Sequence, residues 1–112
     1  MTKHPWVKEL PIIITVSDAE GNIVEMNDNS IKYFEDDGGD SLISSDLLAC
    51  HPEPSRTKLQ TMIDTEATNI YSFEEDSKKM LAYQMPWYRD GKYAGFVEMI
   101  MNIPDEIPHH AD

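Results

Sequence analysis

Apolar positions crowd the C-terminal third of the chain, and their spacing there is that of strands. From Lys78 to Ile103 the sequence KKMLAYQMPWYRDGKYAGFVEMIMNI reads as two long strands meeting at Arg89-Asp90-Gly91-Lys92, where the Asp-Gly pair supplies the positive φ values of a tight hairpin. At a period of two, Leu81, Tyr83, Met85 and Trp87 group with Tyr93, Val97, Met99, Met101 and Ile103. Met80, Ala82 and Tyr88 group with Ala94, Phe96 and Ile100, beside Glu98. Both faces are apolar, whereas a half-exposed antiparallel sheet alternates apolar with polar. The second face therefore needs a cover: the N-terminal segment, another subunit, or both.

Earlier segments supply the rest of a sheet and its helices. Ile12 to Ser17 is a β-branched run that predicts a buried strand, Asp18 to Asn22 a turn, and Ile23 to Met26 a short second strand. Asn27-Asp28-Asn29-Ser30 is a cluster of capping side chains, after which Ile31 and Phe34 lie on one face of a short helix that Gly38-Gly39 ends. Ser41 to Ala49 suggests short helical turns. A clearer helix follows Pro52 and Pro54, from Ser55 to Thr65, with Leu59, Met62 and Ile63 as its inward stripe. Asn69 to Phe73 predicts a third strand. In front, Trp6, Val7 and Leu10 could form a helix or arm lying on the sheet, while the tail IPDEIPHHAD is too proline-rich and polar to extend a core. The expected boundaries are 1–10 for the arm, 11–103 for the domain and 104–112 for the tail. Strands first and last with helices between, and no sign of parallel crossovers, favour an α+β antiparallel sheet with helices on one face.

At 112 residues the chain forms one core. Nine basic against twenty-one acidic residues give a net charge of −12, which repels nucleic acid and anionic membranes. The dense acidic run Glu35-Asp36-Asp37-Gly38-Gly39-Asp40 reads as a solvated loop, because calcium loops place ligands at alternate positions. No apolar run is long enough for a transmembrane helix and no signal-peptide core is present, so the expected compartment is the cytoplasm. The lone Cys50 fits a reducing compartment.

In this order the chain resembles the PAS domain family, from about Ile12 to Ile103. The resemblance is carried by ITVSDAEGNIVEMN, two strands ending in Asn27, by the hairpin MPWYRDGKYAGFVEMIMNI with its small Gly95, and by LLACHPEPSRTKLQTMI, similar to a PAS subgroup with a Cys-His-Pro element before the long helix. Where many members close on Asp-Ile-Thr, this chain has Asn102-Ile103-Pro104. The resemblance implies a five-stranded antiparallel sheet in the order 2-1-5-4-3, a small pocket between sheet and helices, and a sensory or signalling role that often involves pairing through the outer sheet face.

The residues narrow the chemistry. Covalent-flavin PAS domains carry an Asn-Cys-Arg-Phe element, and here Cys50 is followed by His51-Pro52, so that photochemistry is not expected. Haem-binding PAS domains place a histidine on the long helix, near Leu59 in this chain, where none occurs; His51, just before the helix, is the one residue that could take that role. Cys50 and His51 are adjacent and do not form a nucleophile–base pair, a structural zinc site lacks ligands, and no phosphate loop or serine nucleophile motif appears. No catalytic or metal-binding residue is assigned, and no enzyme activity or cofactor is expected.

The candidate pocket residues are Leu48, His51, Leu59, Met62 and Ile63 on the helical side, with Tyr71, Phe73, Tyr83, Met85, Trp87 and Met99 on the strands. The candidate interface residues are Trp6, Val7, Leu10, Ala94, Phe96 and Ile100. The leading functional expectation is a sensory domain that binds a small, mostly apolar ligand non-covalently and signals through protein contacts. The alternative is a ligand-free module that forms a homodimer or docks on another signalling protein, and a haem sensor using His51 stands third.

Overall fold

The computed structural model describes residues 4–111; the first three residues of the expected arm and the last of the expected tail lie outside them. Five antiparallel strands form one sheet in the order β2-β1-β5-β4-β3, as the resemblance implied. They are β1 (Ile13–Ser17), β2 (Ile23–Met26), β3 (Asn69–Glu75), β4 (Lys78–Arg89) and β5 (Lys92–Asn102). Helices α1 (Pro5–Lys8), α2 (Asp28–Tyr33) and α3 (Ser55–Thr65) and two 3₁₀ turns, Glu35–Asp37 and Gly39–Leu42, complete it.

Local chemistry explains each boundary. Between β1 and β2, the Asp18 carboxylate accepts from the backbone N–H groups of Glu20 and Asn22, both at 2.9 Å, and Gly21 takes a positive φ of 88°. Asn27 caps α2 by accepting from the Ser30 N–H. Glu53 reaches the first turn of α3, accepting from the Thr57 N–H at 2.8 Å and its hydroxyl at 2.6 Å. These two bonds, the hydroxyl's first, hold the Glu53 carboxyl below the usual carboxylate range.

The β4–β5 hairpin turns at Asp90-Gly91, both with positive φ, as the dipeptide predicts. The β3–β4 hairpin uses the same geometry without a glycine, at Asp76-Ser77, so β3 runs two residues past its predicted end. Between Trp87 and Tyr88 a bulge shifts the β4–β5 register, and there β5 passes close to the end of β1. Gly95 permits that approach: a Cβ on it would collide with the Ser17 carbonyl oxygen and lie 2.7 Å from the Ser17 carbonyl carbon. The buried core comprises Ile14, Ile23, Met26, Met62, Ala82, Phe96 and Ile100.

Candidate functional site

Between the helices and one face of the sheet lies a cavity of about 610 Å³, within the range of small-molecule sites. The sheet contributes Thr15 from β1, Phe96, Glu98 and Ile100 from β5, Gln84 from β4, and Tyr71 and Phe73 from β3. Opposite stand Tyr33, Phe34, Asp37, Leu42, Leu47, Cys50, His51, Leu59 and Met62. Aromatic rings gather at two walls: Tyr33 meets Phe34 edge to face at 4.9 Å, and Tyr71 tilts against Phe73 at 6.0 Å.

A polar chain crosses the sheet floor. The Asn69 amide donates to the Gln84 carbonyl at 3.0 Å, and the Gln84 amide donates to Glu98 Oε2 at 2.7 Å. These residues are neighbours in register, Asn69 opposite Gln84 and Gln84 opposite Glu98, and Thr15 on β1 continues the row. The Thr15 and Ser30 hydroxyls lie 2.7 Å apart. At the mouth, the Tyr33 hydroxyl donates to Glu75 Oε2 at 2.7 Å, tying α2 to β3. Burial, the Glu75 hydrogen bond and the nearby carboxylates push the Tyr33 phenol up to about 12.

Among the predicted pocket residues, His51, Leu59, Met62, Tyr71 and Phe73 stand on the cavity wall. His51 Nδ1 lies 2.6 Å from the Leu47 carbonyl oxygen, which can only accept. In the neutral ring the proton is therefore on Nδ1, and the Nε2 lone pair is free. Leu48 and Ile63 are off the wall; Ile63 packs beside Gly21.

For the two long strands, the direction of the faces is reversed from the expectation. Phe96 and Ile100, expected at an interface, are about 5% exposed and line the cavity. Tyr83, Met85 and Met99 alternate with the cavity residues Gln84, Glu98 and Ile100, and so point from the opposite face. Trp87 lies on that face too, donating its indole N–H to the Ser17 carbonyl at 2.9 Å. There it borders an outer recess with Val7, Val16, Val24, Arg89 and Ala94. Val7 and Ala94 border that outer recess, Leu10 is half-buried, and Trp6 is 67% exposed rather than packed on the sheet.

The reversal has a physical cause. Apolar bulk suggested which face met the helices, but a cavity wall carries polar side chains, here Gln84, Thr15 and Glu98, that furnish its space. Reasoning from the sequence missed Gln84, Glu98, Thr15, Tyr33, Phe34 and Asp37. A usable signal existed for two of them: Gln84 and Glu98 are the polar interruptions of the two runs, at almost equal distances from the Asp90-Gly91 turn.

No metal-binding cluster of three or more ligating side chains occurs among the described residues, and none of their helices is long and apolar enough to cross a membrane. No protein-family model and no curated protein matches the chain. Solved structures do. It is similar to the PAS domain of BvgS from Bordetella pertussis, with TM-score 0.64 and 13% identity over 93% of this chain and 85% of that one. A sensory box sensor histidine kinase from Vibrio cholerae gives TM-score 0.59 and 18% identity, covering 94% and 91%. The Aer2 receptor of Vibrio cholerae, described as a dual PAS-haem oxygen sensor, gives TM-score 0.61 and 12% identity, covering 83% and 95%. With its 2-1-5-4-3 sheet, its helices over one face and these structural neighbours, the chain has the PAS fold.

Proposed function

We propose that this chain is a sensory or signalling domain that holds a small ligand non-covalently between sheet and helices and passes its state to a partner protein. The observation that carries this reading is the cavity itself: about 610 Å³, walled by aromatic and aliphatic side chains, with a few polar groups converging on one strip of its floor. Neighbours named as a sensor kinase and a receptor support the sensory role. Haem suits the site less well. His51 offers a free Nε2, but among the described residues no Lys or Arg borders the cavity to meet the two propionates, and the carboxylates of Asp37 and Glu98 stand on its wall instead.

Native mass spectrometry of gently purified protein tests the reading. Wild type is expected to carry a small-molecule adduct, and Leu59→Trp, which fills the cavity from α3, is expected to lose it with an unchanged circular dichroism spectrum. The bare mass from every growth condition tried, or the same adduct on Leu59→Trp, would overturn it.

A second reading concerns the outer face, where Leu81, Tyr83, Met85, Met99 and Met101 have only partial cover from the rest of the chain. A face of this kind favours pairing of two copies or docking on a signalling partner. Met99→Glu is then expected to convert a dimer to a monomer in sedimentation. A wild-type monomer at micromolar concentration would sink the homodimer form.

A further inference from the structure

The polar groups of the cavity are biased in kind. Glu98 presents a carboxylate to it, and the Asn69–Gln84 amide chain runs donor to acceptor toward that carboxylate, stabilising negative charge there. Among the described residues no hydrogen bond engages Glu98 Oε1, and no Lys or Arg borders the cavity. The ion pair found among those residues, Lys8 with Asp28, involves neither Glu98 nor any other cavity residue. Asp37 adds a second carboxylate to the wall, and His51 Nε2 is an acceptor in the neutral ring. The site thus offers acceptors and charge to a ligand and asks for donors. A neutral or anionic occupant would cover Glu98 without compensating it, which costs binding free energy in proportion to the water it displaces.

Resting on the ligand-binding reading above, we propose that the cavity takes a small organic cation, an amine or amidine on an apolar or aromatic body, with the Glu98 carboxylate as its counter-charge. The rings of Tyr33, Phe34, Tyr71 and Phe73 flank the space and present π faces or edges to a body of that kind, adding cation–π attraction where a face meets the charge. The net charge of −12 raises the local concentration of cations over the whole surface, and Glu98 converts that general attraction into a site.

Three probes of similar size separate charge from shape: 2-phenylethylamine, 2-phenylethanol and 3-phenylpropionate, titrated at pH 7 by calorimetry or ligand-observed NMR. The amine is expected to bind at least about tenfold more tightly than the alcohol, and the carboxylate more weakly than either. Glu98→Gln, which keeps the size and the acceptor for Gln84, is expected to remove that preference by weakening the amine, while the alcohol, relieved of covering an uncompensated charge, binds at least as tightly as in wild type. Glu74→Gln deletes the same charge from the other side of β3 and is expected to change nothing. An alcohol or carboxylate that matches the amine in wild type overturns the proposal and leaves the ligand-binding reading standing, and this ranking holds whether or not the variants fold. An amine preference that survives Glu98→Gln, or that falls equally in Glu74→Gln, also overturns it. If none of the three binds up to about 10 mM, well beyond the millimolar affinity of a weak fragment, the cation proposal falls, and the native mass spectrum decides the ligand-binding reading separately.

Discussion

Asn27 is completely buried and joins three parts of the domain, so its replacement has a cost that can be worked from geometry. Its Oδ1 accepts from the Ile14 N–H and from the Ser30 N–H, both at 3.0 Å. Its Nδ2 faces three carbonyl oxygens, those of Ile12 at 2.8 Å, Val7 at 3.3 Å and Leu10 at 3.5 Å. Asn27→Ala leaves two buried N–H groups without partners, at about 1–3 kcal/mol each, so about 2–6 kcal/mol is expected to be lost. Against the roughly 5–15 kcal/mol of a typical domain, that is a large fraction of the whole. Asn27→Asp retains the acceptor but turns a second oxygen toward the three carbonyls, and should be no more stable than the alanine variant at pH 7. Urea unfolding followed by Trp fluorescence measures both, Trp87 being half-buried against Ser17. An Asn27→Ala loss below about 1 kcal/mol, ordinary for a substitution of no structural consequence, would refute the bridging role. So would an Asn27→Asp variant as stable as wild type.

Gly95→Ala should destabilise the fold strongly, because the added methyl meets the Ser17 backbone, whose carbonyl and hydroxyl also hold Trp87 and the Phe96 N–H; an alanine variant that unfolds with wild type in urea would contradict the close strand approach. Spectrophotometric titration should find a tyrosine ionising at about 12, and Tyr33→Phe should remove that step. Because its folded pKa is raised, the stability contributed by Tyr33 is complete below the unfolded value near 10 and is lost as pH rises through about 12. Glu75→Gln should move the ionisation of Tyr33 downward, since the Glu75 hydrogen bond and charge both hold the proton; an unmoved titration would refute the closing contact across the cavity mouth.

The strands were legible from local signals, β-branched residues in β1, Asp-Gly at the last hairpin and Asn27 as the stop of β2, whereas their order in the sheet came from the resemblance to the PAS family. The helix Ser55–Thr65 was equally plain, and its Leu59 and Met62 reach the cavity. The Asp76-Ser77 turn was less visible, since Asp and Ser adopt positive φ less readily than the glycine that usually marks such a turn. The direction of the two long strands was illegible for a different reason. Period-two spacing groups side chains into faces but does not say which face meets the helices when both are apolar, and the cue that does, Gln84 and Glu98 on one face, resembled a solvent-facing pair. Tyr33 and Phe34 stand at the C-terminal end of α2 and Asp37 in the 3₁₀ turn that follows, where the acidic run reads as a solvated loop.

Methyl NMR of protein carrying ¹³C-labelled Met and Ile methyl groups bears most directly on the claim that the Phe96–Glu98–Ile100 side of the sheet faces a ligand site. On titration with 2-phenylethylamine, the methyl signals of Met26, Met62 and Ile100, which border the cavity, should shift in a saturable way. Those of Met85, Met99 and Met101, on the opposite face, should hold still. Saturable shifts confined to the outer methionines, or no shifts at any of these methyls, would contradict the account.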